Sequence, residues 1–304
     1  MRIRKATFKD KETLYQDWKT VFSHDDFGSI DYYFQKRFDP TNCYVLEENK
    51  QIISSLMVHP HEMVLHQKVV KIAYIVGVYT HQDYQKQGYM KTLMNYVLKE
   101  LEQTYLLTLI QGYSPEIYEP FGFESVYEQN VYELRRSMIR PMDSHGVKLR
   151  LDPKDLLETY LYYAQYFTGY FTRDEAYYLE MMDCVKAENG EYIGVYSDQD
   201  LRAYTRLVRH EQKVIVDEVV YKDTQSLVKL LSFILTQDPK IEVRMTAVDN
   251  LSKIIEKAFP VKEKNLMVKL NDYNLFERLF HVKVSTASSA MKVFSRPLFN
   301  GESY

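Results

Sequence analysis

The chain has 304 residues, 45% hydrophobic and 14% aromatic, with 27% charged residues and a formal net charge of −3. That length and apolar content suit two packed domains, and so small an acidic excess gives no electrostatic case for nucleic-acid binding. No apolar run approaches the ~18 residues of a membrane span, the start Met1-Arg2-Ile3-Arg4-Lys5 lacks the apolar core of a signal peptide, and the two cysteines, Cys43 and Cys184, one in each half, predict no disulfide and a cytoplasmic, reducing setting.

Residues 1–8 alternate as a short strand, and Thr7-Phe8-Lys9-Asp10 resembles a capping box ahead of a helix carrying Leu14, Trp18 and Val21. Strands follow at about 43–46, 52–59 and 64–80. The last runs through Ile75, Val76, Gly77, Val78, Tyr79 and Thr80 into the turn Gln85-Lys86-Gln87-Gly88-Tyr89-Met90. A helix then places Met90, Leu93, Met94, Val97 and Leu101 on one stripe, the spacing of a buried face. A strand, a basic and amide-rich turn with one glycine, and a helix N-terminus together make an anion site. Free backbone N–H groups and the positive end of the helix dipole point at the turn, and the glycine lets a phosphate approach. The turn is neither a Walker loop nor a dinucleotide fingerprint, which need more glycines. A lone glycine before a helix is also an ordinary helix start, so the flanks decide.

An apolar strand at 105–110 leads into Gly112-Tyr113-Ser114-Pro115-Glu116-Ile117-Tyr118-Glu119-Pro120-Phe121-Gly122-Phe123, which reads as a short helix and a turn into the next strand. His59 and His61 are a close histidine pair with strand spacing. With no third ligand in reach, no metal is expected.

Residues 137–155 read as a linker. The tyrosine-rich stretch 156–171 reads as a helical packing region rather than a ligand platform, and Thr172-Arg173-Asp174-Glu175 opens a further helix. Strands at 192–196, 201–208 and 213–221 precede a helix with Leu227, Leu230, Leu231 and Ile234 on one stripe. A strand at 241–248, a helix with Leu251, Ile254, Ile255 and Ala258, and a strand at 266–270 follow. Three strands, helix, strand, helix, strand repeats the order of the first half. The second copy's strand-to-helix turn, Lys222-Asp223-Thr224, has no glycine. Asp223 as a helix cap would put a carboxylate where a phosphate would sit, a repulsion on the order of several kcal/mol in a partly buried site.

The turn from Gln85 to Met90 resembles the Gln/Arg-x-x-Gly-x-Gly/Ala loop of GCN5-related N-acetyltransferases (GNAT), with Met90 departing from the usual Gly/Ala. Ile117-Tyr118-Glu119-Pro120-Phe121-Gly122-Phe123 is similar to that family's tyrosine followed by a Phe-Gly-Phe turn. The combination resembles the enhanced-intracellular-survival (Eis) branch. The resemblance implies an α/β (α+β) chain of two tandem GNAT-like domains, each a mixed, mostly antiparallel sheet flanked by helices. Residues 1–136 would be the catalytic domain, 137–155 a linker, 156–272 a degenerate copy forming one wall of the acceptor pocket, and 273–304 a C-terminal tail too short for the branch's sterol-carrier-like domain.

The resemblance further implies an N-acetyltransferase that moves an acetyl group from acetyl-CoA directly to a primary amine. Val78, Tyr79, Thr80, Gln85, Lys86, Gln87, Gly88, Tyr89, Met90 and Tyr113 would bind acetyl-CoA, and the Tyr118 phenol, neutral at pH 7 with a pKa of about 10, would protonate the departing thiolate. Asp25, Asp26, His59 and Glu119 are acceptor-side candidates. Tyr304 joins them because the branch uses its terminal carboxylate as the proposed base; a frayed tail is the plainer expectation. Multimers are common in the branch, which leaves a homo-oligomer open. A coenzyme A or ligand-binding module without turnover, and a longer acyl chain, also remain open. The acceptor stays open among a polyamine, an aminoglycoside, a peptide N-terminus and a lysine.

Overall fold

The computed structural model describes the chain except Asp25, Tyr113, Glu211, Gln212, Ser303 and Tyr304 and the side chain of Asn265. The first half runs β1 (Arg2–Lys5), α1 (Lys11–Val21), α2 (Ser29–Tyr32), β2 (Cys43–Glu48), β3 (Gln51–Leu65), β4 (Lys68–Thr80), α3 (Tyr89–Leu101), β5 (Leu107–Ile110) and β6 (Glu124–Arg135). The second runs β7 (Val147–Lys148), α4 (Pro153–Ala164), β8 (Gly169–Phe171), α5 (Glu175–Ala187), β9 (Gly190–Ser197), β10 (Asp200–His210), β11 (Lys213–Tyr221), α6 (Thr224–Gln237), β12 (Lys240–Thr246) and β13 (Pro260–Leu270). Two short helices close the chain, α7 (Tyr273–Phe280) and α8 (Ala287–Lys292).

Each half is a mixed, mostly antiparallel sheet flanked by helices, and the two copies share one local code. The hairpins β2–β3 and β9–β10 turn on Asn49-Lys50 and Asp198-Gln199, all four residues at positive φ, the pairing that matches strand twist. β3–β4 turns likewise on His66-Gln67. In the first half α3 buries Leu93, Met94, Val97, Leu98 and Leu101 against Leu56, Val58, Ala73, Ile75 and Ile110. In the second, α6 buries Leu227, Leu230, Leu231 and Ile234 against β10, β11 and β12.

The two copies are not separate sheets. Among the described residues thirteen strands form one sheet in the order β1-β2-β3-β4-β5-β13-β6-β12-β11-β10-β9-β7, with β8 added on β3. The last strand of each copy has crossed over. β13 supplies the antiparallel neighbour of β5, from Met267↔Ile110 to Leu270↔Leu107. β6 supplies that of β12, from Lys240↔Arg135 to Thr246↔Gln129. β6 and β13 then pair with each other.

Other differences from the sequence expectations are local. The stretch expected to be helical at 156–171 ends its helix at Ala164 and returns as β8. The expected linker 137–155 contains β7, which pairs with β9, and the start of α4. The expected helix over Leu251–Ala258 positions is only a 3-10 turn, Leu251–Lys253. Residues 273–298 are packed against the sheet: Phe276, Phe280, Ala287, Ala290, Met291 and Leu298 join the core that covers Ile72, Tyr74, Leu107 and Leu109.

The strand exchange generates a test. Residues 1–136 expressed alone lack the neighbour of β5 and leave β6 with neither partner. They are expected to show no cooperative melt by circular dichroism, and co-expression with residues 137–304 is expected to return a soluble, co-purifying complex. A cooperative melt for 1–136 alone would make the exchange dispensable.

Candidate active site

β4 and β5 are parallel and share register only from Ile72↔Leu107 to Ile75↔Ile110. β4 then continues through residues 76–80 with its other edge still held by β3. The two strands therefore fork beyond Ile75 and Ile110, with residues 76–78 and 80 half-buried along the arm that β5 no longer pairs. A bulge lies at the fork. Ser55 pairs with Tyr79 and Met57 with Val76, so Gly77 and Val78 together face Leu56. Gly77 sits at φ 58°, and a Cβ there would overlap the Trp18 ring. Glycine is required twice over, by backbone conformation and by the indole packed on it.

Below the fork, a 3-10 turn over Gln82–Tyr84 leads to Gln85. Lys86 and Gly88 are both left-handed, at φ 61° and 86°. Gly88 is the N-cap of α3 and no side chain caps that helix end. Gln85 Nε2 donates to the Thr80 carbonyl (3.3 Å) and Gln87 Nε2 to that of Asp83 (3.1 Å), so both amides brace the turn. Residues 85–88 are exposed, and a Cβ on Gly88 would meet nothing within 4 Å. The turn thus offers unscreened N–H groups and the helix dipole to open space, the arrangement that holds a phosphate. Val78, Tyr89, Met90, Tyr118 and Phe121 are partly buried around the α3 core, making an apolar lining from the fork to the turn. Met90 is part of that lining, which accounts for an apolar residue where the resembled loop has Gly/Ala.

Tyr118 joins two 3-10 turns, Pro115–Ile117 and Glu119–Phe121. Its ring meets Phe123 edge-on at 6.3 Å and 72°. A Cβ on Gly112 would lie 2.5 Å from its Cε2, so glycine at 112 is what lets the ring lie there. Burial raises the phenol above its ordinary pKa and keeps it protonated at neutral pH. Glu119, next in sequence, is exposed. Tyr79 points the other way, buried with its hydroxyl on the Asp17 carboxylate, so only its backbone borders the cleft. Thr80 Oγ1 is held by Ser54 Oγ at 3.1 Å.

The opposite face of the sheet carries the histidines. His59 Nε2 is 2.9 Å from the Tyr33 hydroxyl, and Tyr33 stacks on Trp18 at 5.1 Å. Burial, reinforced by His61, pushes the His59 pKa down to about 4. Burial also lowers that of His61, against the pull of Glu302. The His61 ring packs against Phe171 (5.7 Å) and Tyr74 (6.3 Å). Tyr74 in turn donates to Gln111 Oε1 at 3.3 Å, next to Gly112. Residues from β3, β4 and the Tyr118 turn therefore meet across the fork. The second half closes this side: Arg37 pairs with Glu180, and Tyr32 donates to the Glu180 carbonyl at 3.2 Å.

Asp26 is engaged elsewhere, bonded to Lys19 Nζ at 2.6 Å and accepting from the N–H groups of Gly28 and Ile30. Asp25, Tyr113 and Tyr304 lie outside the described residues. Sequence reasoning did not find His61, Tyr33, Tyr74 or Gln111 as neighbours of the fork. The His59-x-His61 alternation, which puts both rings on one face, was the available signal.

In the second copy the equivalent places are filled. Asp223 caps α6, accepting from Ser226 N at 2.8 Å and pairing with Arg202. Between β11 and β12, parallel only at Ile215–Val216 positions, Asp249 takes hydrogen bonds from Tyr163 (2.8 Å), Tyr221 (2.5 Å) and Thr246 (2.5 Å). Among the described residues no group of three or more His, Cys, Asp or Glu could hold a metal, and no helix is long and apolar enough to cross a membrane.

The depressed His59 pKa has a signed consequence. The unfolded chain binds this proton near pH 6.5 and the folded chain only near pH 4, so stability is full above 6.5 and is lost as pH falls toward 4. Relative to His59→Gln, the parent is expected to lose on the order of 2–3 kcal/mol over that window. Urea melts of the two proteins at several pH values check this, and parallel curves would sink it.

Residues 2–126 match the acetyltransferase (GNAT) domain family. No curated protein sequence matches the chain. Solved structures share its fold across both halves. A probable N-acyltransferase from Enterococcus faecalis V583 is 17% identical with a TM-score of 0.76, covering 91% of this chain and 74% of that one. A GCN5-related N-acetyltransferase from Anabaena variabilis is 17% identical with a TM-score of 0.73, covering 89% and 73%. Eis1 from Mycobacterium abscessus is 15% identical with a TM-score of 0.68, covering 91% and 75%. The exposed left-handed turn ahead of α3, the forked strands β4 and β5 and the Tyr118 turn all fall within the segment that matches the GNAT acetyltransferase domain family, in a chain that shares the fold of Eis1.

Proposed function

We propose that the chain transfers an acetyl group from acetyl-CoA to a primary amine, by direct attack without an acyl-enzyme. The observation that carries this reading is the continuous path from the exposed turn at Gly88, along the free edge of β4, to Tyr118. Pyrophosphate on the N–H groups of residues 85–90 and a pantetheine arm along residues 78–80 bring the thioester to the bulge. There a backbone N–H near Val78 polarises the carbonyl. Val78, Met90 and Phe121 supply the apolar contact along the way.

The amine approaches from the His59 and His61 face and must first lose a proton, which passes to a base or water chain on that side. Its nitrogen attacks the carbonyl carbon, the C–N bond forms, the C–S bond breaks, the Tyr118 hydroxyl gives its proton to the thiolate, and the second proton shed by the nitrogen returns to the Tyr118 oxygen through water. Holding both reactants at the fork accounts for much of the rate. Glu119 stands at the rim, and Asp26, already paired with Lys19, has its charge compensated.

Calorimetry with acetyl-CoA tests the first step. Micromolar binding is expected for the parent and loss of binding for Gly88→Asp, which puts a carboxylate and a Cβ at a left-handed site facing the phosphates. No binding by the parent would overturn the reading. Steady-state acetylation of spermidine, kanamycin A and an N-blocked lysine peptide tests the second. Tyr118→Phe is expected to lower kcat by about 100-fold while leaving acetyl-CoA affinity unchanged. Unchanged kcat would remove Tyr118 from the mechanism, and binding without turnover of any amine would leave a coenzyme A-binding module.

A further inference from the structure

Residues 296–302 run beside residues 165–173. Arg296 donates to the Gln165 carbonyl (2.6 Å), Thr168 N to that of Pro297 (2.7 Å) and Phe299 N to that of Gly169 (2.7 Å). Leu298 enters the first-half core and Phe299 the second-half core. The stretch then reaches a buried ionic cluster. Glu302 Oε1 accepts from Arg173 Nε (3.1 Å) and Nη2 (2.9 Å), and its Oε2 accepts from Tyr177 (2.9 Å). Arg173 Nη1 also donates to Glu218 Oε1 at 2.6 Å. The guanidinium lies 4.2 Å from the Tyr160 ring centroid and 4.6 Å from that of Tyr177. Side-chain exposure is 0% for Arg173 and Glu218 and 5% for Glu302.

Three buried charges are a costly way to fasten a chain segment, and neither carboxylate is needed by the proton transfers above. Their place in the fold gives them a use. Arg173 follows β8, whose Phe171 pairs with Met63 of β3 and packs on the rings of both His61 and Tyr74. Thr172 N extends that contact to the Glu62 carbonyl at 3.0 Å. Whatever fixes Arg173 therefore fixes the ring wedged against His61.

We propose that Arg173 and Glu302 are positioning residues for the acceptor side. Clamping residues 300–302 onto the end of β8, they hold Phe171, and through it His61 and Tyr74, in the geometry that receives the amine. This rests on the assignment of the His59 and His61 face to the acceptor. The clamp joins three distant parts of the chain, so the acceptor side is a composite that the first 136 residues do not contain.

Two variants perturb the clamp differently. Glu302→Gln keeps the shape and removes the charge. Gly301→Ala keeps every charge, but its Cβ would lie 2.7 Å from Arg173 Nη2 and 2.8 Å from Glu218 Oε1, displacing the segment. Both are expected to raise KM for spermidine, kanamycin A or the lysine peptide by about fivefold or more, with kcat changed less than about twofold and acetyl-CoA affinity unchanged. Amide hydrogen exchange, which needs no acceptor, is expected to quicken at residues 59–62 and 169–172 in both variants and to stay unchanged in α3. Unchanged exchange at 59–62 overturns the proposal, as does a loss that reaches acetyl-CoA binding equally. Failure of the parent to bind acetyl-CoA would strike the proposed reaction and would leave the exchange result to decide the clamp.

Discussion

The pairing of β6 with β13 is the constraint on which the cleft depends. The two strands run antiparallel from Pro260↔Tyr132 to Val268↔Glu124, and each has on its other side a strand of the opposite half. β5 is only four residues long and is parallel to β4. A pair that short holds a strand weakly, and a fork needs one arm that does not drift. β13 supplies the second set of ladder bonds that pins β5. The position of Tyr118, which follows β5, is thus set by a strand some 150 residues later in the chain. Reorganising either copy alone would expose an unpaired central edge, so the halves are coupled by the backbone itself rather than by side-chain docking.

On the other arm of the fork, one aromatic stack ties the two faces of the cleft together. Trp18 covers the bulge at Gly77 and stacks on Tyr33, which is hydrogen-bonded to His59. The bulge at Gly77 and the histidine on the opposite face thus share one packing unit from α1 and the segment after α2. A bulge is held by what packs on it, and here the cover also orients a buried imidazole. The low pKa of His59 follows from the same burial.

Much of this was legible from local pattern. The α3 stripe, the two strand-rich runs, the glycine turn at Gly88 and the Asp223 cap all follow from periodicity and from residues that only certain backbone positions accept. The strand exchange was not legible, because alternation says which face of a strand is buried and not which strand lies beside it. Leu251, Ile254, Ile255 and Ala258 carry helical spacing, yet only Leu251, Ile255 and Ala258 are buried. Ile254 is 43% exposed, and the chain turns at Lys257, φ 64°, into β13. The histidine face of the fork was hardest to read. Tyr33, His61, Gln111, Phe171 and Glu302 belong to five separate segments, and no window of sequence contains two of them. Asp26 illustrates the opposite difficulty: a loop carboxylate that composition allows as a ligand contact has its charge met by Lys19.

The second copy explains itself by the same physics run the other way. Where the first half has a left-handed glycine and open space before α3, the second has Asp223, which satisfies the end of α6 internally and repels a phosphate. Where the first strands fork, the second pair is bridged by Asp249, with two tyrosine hydroxyls and a threonine hydrogen-bonded to its carboxyl oxygens. A cleft closed in this way needs no ligand to be stable, so the second copy is free to present other surfaces. α5 meets Tyr32 and Arg37 of the first half, and the stretch after it in space, from β8 to Arg173, backs His61. The repeat therefore keeps the fold while filling its own fork and helix end, and it contributes instead the segments that back Arg37 and His61.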